Sequence, residues 1–422
     1  MSITIADRVR NDPAAMYASV LVFMLPALVL SSRDGMGLSQ LLMLLGLGWM
    51  GGARLAAMWT DHGRAFGPVL LAFGGYFLLS LARLVIYQQR LHTLDGPFRL
   101  LLSLGCFAFV AGYRPPIRWF WLGLCLGSVA AGAVAVAQWL AYGVDRVEGL
   151  THHAITFGDL AVAMGMMSLC ALSSFRRTRL AWLPVLACVS GLAASVLSGS
   201  RGGWLGLLLV IVPLLKYGSA VHGRRLVVGV LLALALCVIA YFIPATSIAR
   251  RLADASAEVR MYFADGNATT HVGVRLELWK ASWMMIVEHP WLGVGRESFH
   301  QALNALHEQG RLQQSPALIY SSSHNDAIHM LATGGVLDFS FLLLMYGAPL
   351  RLFHGVLCQA EAGAERRAAA LAGITLVVCF IGFGLTDVMF WLMMPKVFYG
   401  VMVCMLAAFS LDGRGRTIAA RP

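Results

Sequence analysis

Leu197-Ser198-Gly199-Ser200-Arg201-Gly202-Gly203 is a tight polar turn between two apolar runs, residues 180–198 and 203–218. Apolar runs of this length joined by short polar turns are the pattern of membrane-spanning helices, which satisfy their own backbone polar groups in lipid. The same pattern repeats outward in both directions. A span needs about 20 mostly apolar residues. Runs that qualify are 14–31, 36–58, 66–87, 97–112, 116–142, 155–174, 180–198, 203–218, 224–244, 329–353, 367–386 and 390–410. Composition agrees: of 422 residues, 59% are hydrophobic and 13% are charged, with a mean hydropathy of +0.72. A soluble domain carries about 25% charged residues. The expectation is an all-α polytopic membrane protein with about twelve transmembrane helices.

The net charge of +11 does not point to nucleic acid. Lys216, Lys280 and Lys396 are the only lysines, and the arginines follow the loops. Even-numbered loops and the termini hold Arg8, Arg10, Arg54, Arg64, Arg114, Arg118, Arg176, Arg177, Arg179, Lys216, Arg224, Arg225, Arg351, Arg366, Arg367, Arg414, Arg416 and Arg421. Odd-numbered short loops hold only Arg33, Arg90, Arg99, Arg146, Arg201 and Lys396. By the positive-inside rule both termini are cytoplasmic. The organisation expected is 1–244 for helices one to nine, 245–328 for an external helical segment, and 329–422 for helices ten to twelve with a cytoplasmic tail.

Within the external segment, Ser247 to Phe263 carries a loose helical stripe of Ile248, Leu252, Val259 and Phe263. Val274 to Val287 reads as a helix with Trp279, Trp283 and Ile286 on one face, a pattern that rests in the membrane interface. His289-Pro290-Trp291-Leu292-Gly293-Val294-Gly295 ends it, and Glu297 to Glu308 forms another short helix. The eight cysteines lie in apolar runs without C-x-x-C spacing. They read as small core residues, not as a disulfide frame or zinc site. Met1 to Pro13 is polar, and the run after it lacks a small-residue cleavage site, so it reads as a span and not as a cleavable signal.

Four outward-facing segments are more polar than a connection requires. These are Asp145 to His153, leading into a span that bears Asp159; Ser200-Arg201-Gly202-Gly203; Arg275 on the amphipathic helix; and Ser321-Ser322-Ser323-His324-Asn325-Asp326, leading into span ten. A lone arginine at a span end can snorkel to the headgroups. Arg201, with Arg146 and Arg275 on the same face, reads instead as an anion site. Serine and glycine let the backbone approach a ligand closely, and guanidinium groups grip phosphate oxygens in pairs. His324 is the candidate general base, with Asn325 and Asp326 placed to fix its tautomer and Ser200 and His153 in support. His329 falls about 140° away around a helix and shares no face with His324. Asp159, Asp338 and Asp387 are intramembrane acids that serve either a proton relay or substrate contact, or pair with a residue such as Arg83. Asp387, at the outer end of span eleven, is the strongest site candidate of the three. External acids are scattered and form no D-x-D or H-x-x-x-H, so neither a metal nor another cofactor is expected; the arginines neutralise charge.

In order and placement these pieces resemble the O-antigen ligase / O-antigen polymerase superfamily: Ser198-Gly199-Ser200-Arg201-Gly202, Arg275 with Trp279, His289 to Gly295, and Ser323-His324-Asn325 with Gly334-Gly335 after it. Many relatives have a histidine where this chain has Ser322, and an acid where it has Thr333. The resemblance implies a fold similar to the integral-membrane C-type glycosyltransferases. It implies metal-independent, inverting transfer of O-antigen polysaccharide from undecaprenyl diphosphate to lipid A–core oligosaccharide, on the periplasmic face of a Gram-negative inner membrane. By motif position Arg201 and Arg275 hold the diphosphate and His324 activates the acceptor hydroxyl. An O-antigen polymerase and a protein O-oligosaccharyltransferase share these motifs. A polytopic transporter of an anion or lipid-linked glycan is the alternative of another class. It would show repeat symmetry and broken helices near mid-membrane, whereas here no repeat is found and the polar residues gather on one face.

Overall fold

The computed structural model describes residues 12–144, 146–151, 153–200, 202–222 and 248–412. The expected ninth span, 224–244, and Arg201 lie outside the described residues. Those described are helical and contain no strand. The helices are α1 (Pro13–Leu28), α2 (Gly35–Leu47), α3 (Gly52–Ile86), α4 (Asp95–Tyr113), α5 (Ile117–Tyr142), α6 (Ala154–Leu169), α7 (Leu183–Ser198) and α8 (Gly202–His222). They continue with α9 (Ile248–Asp265), α10 (His271–Glu288), α11 (Phe299–Glu308), α12 (Asp326–Leu357), α13 (Ala364–Gly384) and α14 (Met393–Leu411). Among the described residues six helices are long and apolar enough to cross a membrane: α3, α4 with the turn before it, α5, α12, α13 and α14. Four more, α1, α2, α6 and α7, are apolar and shorter, as is the stretch Gly202–Gly218 of α8. The chain is a multi-pass membrane protein.

Local chemistry sets several ends. Asp12 caps the Ala14 N–H with Pro13 at the first helical position of α1. Gly143 and Gly199 close α5 and α7 in the left-handed region. One boundary departs from the sequence reading. The run 36–58 is not one span: α2 stops at Leu47, and its 13 residues rise only about 20 Å, less than the roughly 30 Å of a hydrocarbon core. Gly51, at φ +72°, turns the chain, and residues 52–58 open α3, which continues unbroken to Ile86. The apolar pattern runs through the break, so hydropathy alone joins what the glycines separate.

α13 and α14 are the most enclosed of the long helices and form the centre of the bundle with α6, which is almost wholly buried. α6 and α7 touch backbone to backbone: a Cβ on Gly191 would lie 2.4 Å from the Ala161 carbonyl oxygen, the close approach that small residues permit between membrane helices. A separate small core holds α10 and α11 together through Val274, Leu278, Met285, Phe299, Leu303 and Leu306, and meets α12 at Ala332. This corrects the expected interfacial stripe on α10. Ile286 packs against that core and Trp279 turns to residue 323. Of the three residues only Trp283 is largely exposed, beside Val287 and Trp291.

α12 is broken at Gly335 (φ +64°, ψ −166°), and the 289–295 loop docks into the break. Pro290 O accepts from Val336 N, Ala332 O from Val294 N, and Thr333 O from Gly295 N, at 2.8–2.9 Å. A Cβ on Gly293 would lie 2.3 Å from the Thr333 carbonyl carbon, and one on Gly335 would lie 2.2 Å from that of Trp291. The two glycine-bearing motifs read separately in the sequence are therefore one interlocking unit. Arg83 closes it, donating to Gly334 O and to Asp338. This is the pairing reading for Asp338.

Candidate active site

His324 stands one residue before the N-cap of α12, in the left-handed backbone region at φ +51°, an uncommon conformation outside glycine in which histidine is enriched. Asn325 is the N-cap, accepting the Ile328 N–H at 3.0 Å and donating to Leu385 O at 3.1 Å. Asp326 Oδ1 accepts the Phe390 N–H at 3.0 Å. Both residues thus fasten the loop between α13 and α14 beside His324, and neither touches the imidazole. The tautomer partner expected among them is instead Asp387 on that loop. His324 Nδ1–H donates to Asp387 Oδ1 at 3.3 Å, which also accepts the Val388 N–H at 2.9 Å. Tyr320 meets the imidazole edge to face, with ring centroids 5.1 Å apart.

Asp387 is 2% exposed. Burial pushes its carboxyl up, but hydrogen bonds from His324 and the Val388 N–H, with the charges of His324 and His153, outweigh burial and hold it below its ordinary value. The carboxylate stays ionised and keeps the proton on Nδ1, which leaves Nε2 as the basic nitrogen. His324 is 23% exposed, so its buried partner orients an imidazole that is still open to a reactant.

The other polar segments reach this pair in different ways. Ser200 donates to Asp159 on α6. A Cβ on Gly202 would lie 2.2 Å from Thr386 Oγ1, and one on Gly203 would lie 3.0 Å from Asp159 Oδ1. The residues flanking position 201 therefore pack against Asp159 and against the neighbour of Asp387. Arg146 Nε donates to Ser198 O and Val147 N to Leu197 O, each at 3.1 Å, which pins the first segment to the end of α7. His153 caps α6 and its charge acts on Asp387. Arg275 lies one turn before Trp279 on the same face of α10, and Trp279 Nε1–H donates to Ser323 O at 3.0 Å. The sequence reading did not single out that brace; tryptophan's lone N–H needs a partner when partly buried, and this was the available signal.

Residues 186–343, from α7 into α12, match the family model described as O-antigen ligase. A Pseudomonas aeruginosa protein named O-antigen ligase is 25% identical over 368 residues, covering 83% of this chain and 80% of that protein. Over this stretch the chain is similar to the O-antigen ligase family. An uncharacterized Haemophilus influenzae protein is also similar, 23% identical over 291 residues, 68% of this chain and 72% of the relative. The superfamily match contains Ser200, Arg275 and His324, while Asp159 and Asp387 lie outside its bounds.

Proposed function

We propose that the chain is a glycosyltransferase that moves O-antigen polysaccharide from undecaprenyl diphosphate to lipid A–core oligosaccharide. The reaction takes place at the periplasmic face of the inner membrane, with both termini in the cytoplasm. The observation that carries the reading is the His324–Asp387 pair, standing where segments bearing Arg146, Ser200 and Arg275 gather.

The chemistry is a single displacement. His324 Nε2 takes the proton of the acceptor hydroxyl as its oxygen attacks the anomeric carbon. The bond from that carbon to the diphosphate oxygen breaks, the configuration inverts, and the electron pair leaves with undecaprenyl diphosphate. Negative charge grows on the leaving group, and Arg201, Arg275 and Arg146 are assigned to meet it. Losing one such preorganised donor typically costs about 3 kcal/mol of transition-state stabilisation. Asp387 stabilises the imidazolium that forms. Arginines do the neutralisation in this scheme, and it uses neither metal nor nucleotide.

The test is reconstitution of the purified full chain with lipid-linked donor and lipid A–core in excess EDTA. The expected products are glycan-extended lipid A–core and free undecaprenyl diphosphate, at a rate unaffected by the chelator. Glycan growth on the lipid diphosphate with lipid A–core untouched would instead make the chain a polymerase. Activity lost in EDTA and restored by Mg²⁺ would overturn the arginine-only neutralisation.

A further inference from the structure

A second group of cations borders the His324 site and is short of anions. Lys396, in the first turns of α14, is 4% exposed. Among the described residues its ammonium meets no hydrogen-bond acceptor and no carboxylate within ion-pair distance. Its side chain lies across the start of α4, where a Cβ on Gly96 would fall 2.4 Å from Nζ. Arg296, Asp326 and Asp95 are the charged groups that act on it. Arg296 sits 4.7 Å over the Tyr76 ring and reaches Asp338 at 3.7 Å, the carboxylate already held by Arg83. One carboxylate thus serves two guanidinium groups with an ammonium nearby.

Unpaired polar atoms mark the same place. His329 feels the charges of both Arg296 and His324, and its ring lies between Phe299 and Trp391, with centroids 5.2 and 5.0 Å away. Both of its ring nitrogens are buried without a hydrogen-bond partner, as is the Tyr76 hydroxyl under Arg296. Native interiors leave few polar atoms unpaired, and a group of them points to bound water or a ligand. A buried ammonium with no carboxylate in direct contact is costlier still.

We propose that Arg296 and Lys396 form a second oxyanion site, adjoining the His324 site, that receives a phosphoryl group of a glycolipid substrate. The guanidinium supplies a planar fork and the ammonium a point charge, with His329 and Tyr76 as hydrogen-bonding neighbours. The identity of that substrate rests on the glycosyl-transfer reading; the site itself does not. A diphosphate on the donor and a phosphate on the acceptor offer the same chemistry.

The chain's three lysines make the test direct. Lys216 and Lys280 are exposed, and replacing them by arginine leaves Lys396 as the one side-chain amine for reductive methylation with [13C]formaldehyde. In the folded full chain in nanodiscs, inorganic pyrophosphate is expected to move the Lys396 methyl resonance saturably. Arg296→Gln is expected to weaken that response at least tenfold, and Arg275→Gln to leave it within twofold. Should the double replacement not fold, the wild-type spectrum with its three lysine signals carries the same readout. A Lys396 signal that stays still at high pyrophosphate, or responds equally in Arg296→Gln, overturns the site. So does a Lys396 that remains unmethylated while Lys216 and Lys280 react. Undecaprenyl diphosphate and a phosphorylated lipid A–core fragment are then titrated separately, and whichever moves the signal is the source. Because the readout needs no turnover, failure of glycosyl transfer leaves it intact.

Discussion

His324–Asp387 and Arg83–Asp338 both pair a nitrogen donor with a carboxylate from a distant part of the chain, 63 and 255 residues apart. Their surroundings differ. Arg83 and Asp338 are 4% and 1% exposed, and the guanidinium donates to Asp338 and to the Gly334 carbonyl beside the break in α12. His324 is 23% exposed and spends one nitrogen on Asp387. A pair shut away from any reactant, its guanidinium held by a carboxylate and a backbone carbonyl, holds architecture. A pair that keeps one atom open to a reactant is equipped for chemistry.

Substitutions separate the two roles. Asp387→Asn removes the acceptor that fixes the Nδ1–H tautomer. In comparable histidine–carboxylate sites this costs about 10⁴-fold in kcat, and single-turnover kinetics should show a fall of that order with donor affinity and melting temperature near wild type. The depressed Asp387 pKa has a defined sign. Its contribution is fully present above the ordinary carboxylate range and fades only as pH falls through the lower folded-state value. Acidification to about pH 5 should therefore leave the pair's contribution to stability intact.

Arg83→Met acts on the other pair. Taking the nearer cation from a buried carboxylate costs up to about 3–5 kcal/mol, so yield and thermal midpoint should drop. Asp338 also faces Arg296, and the double replacement with Asp338→Leu should recover part of the loss. Gly335→Ala comes next: an L side chain there is strained and collides with the Trp291 carbonyl. Strain alone costs about 1–3 kcal/mol, to be read as a lower midpoint with kcat of the surviving fraction unchanged. Trp279→Phe should be mildest. It removes one hydrogen bond to Ser323 O, worth about 1 kcal/mol, and is expected to lower kcat several-fold without unfolding. A kcat equal to wild type would make Trp279 a packing residue only.

The helical, membrane-spanning class was legible because hydropathy reports it directly. Helices α9, α10 and α11 were also legible, through apolar spacing and the Pro290–Gly293 stop. The α2–α3 boundary was not, since Gly48 to Gly52 interrupts the backbone without interrupting the apolar pattern. His324 stood out by its serine-rich loop and Asp387 by its place at the outer end of span eleven, but their pairing did not: Asn325 and Asp326 are adjacent in sequence to His324, yet their side chains point to the Leu385 and Phe390 backbone. Which face of α10 meets protein and which is left exposed depends on where α11 and residue 323 sit, so Trp279, Trp283 and Ile286 were grouped wrongly. Arg83 was nameable as a partner for Asp338 because cations inside spans are scarce.

Whether His324 is the base of a transfer reaction is decided by His324→Ala in the reconstituted system. The measurement is glycan appearing on lipid A–core per mole of folded protein, alongside binding of the lipid-linked donor. The predicted result is no detectable transfer with donor binding within a few-fold of wild type. Near-normal transfer by that variant would rule out His324 as the base.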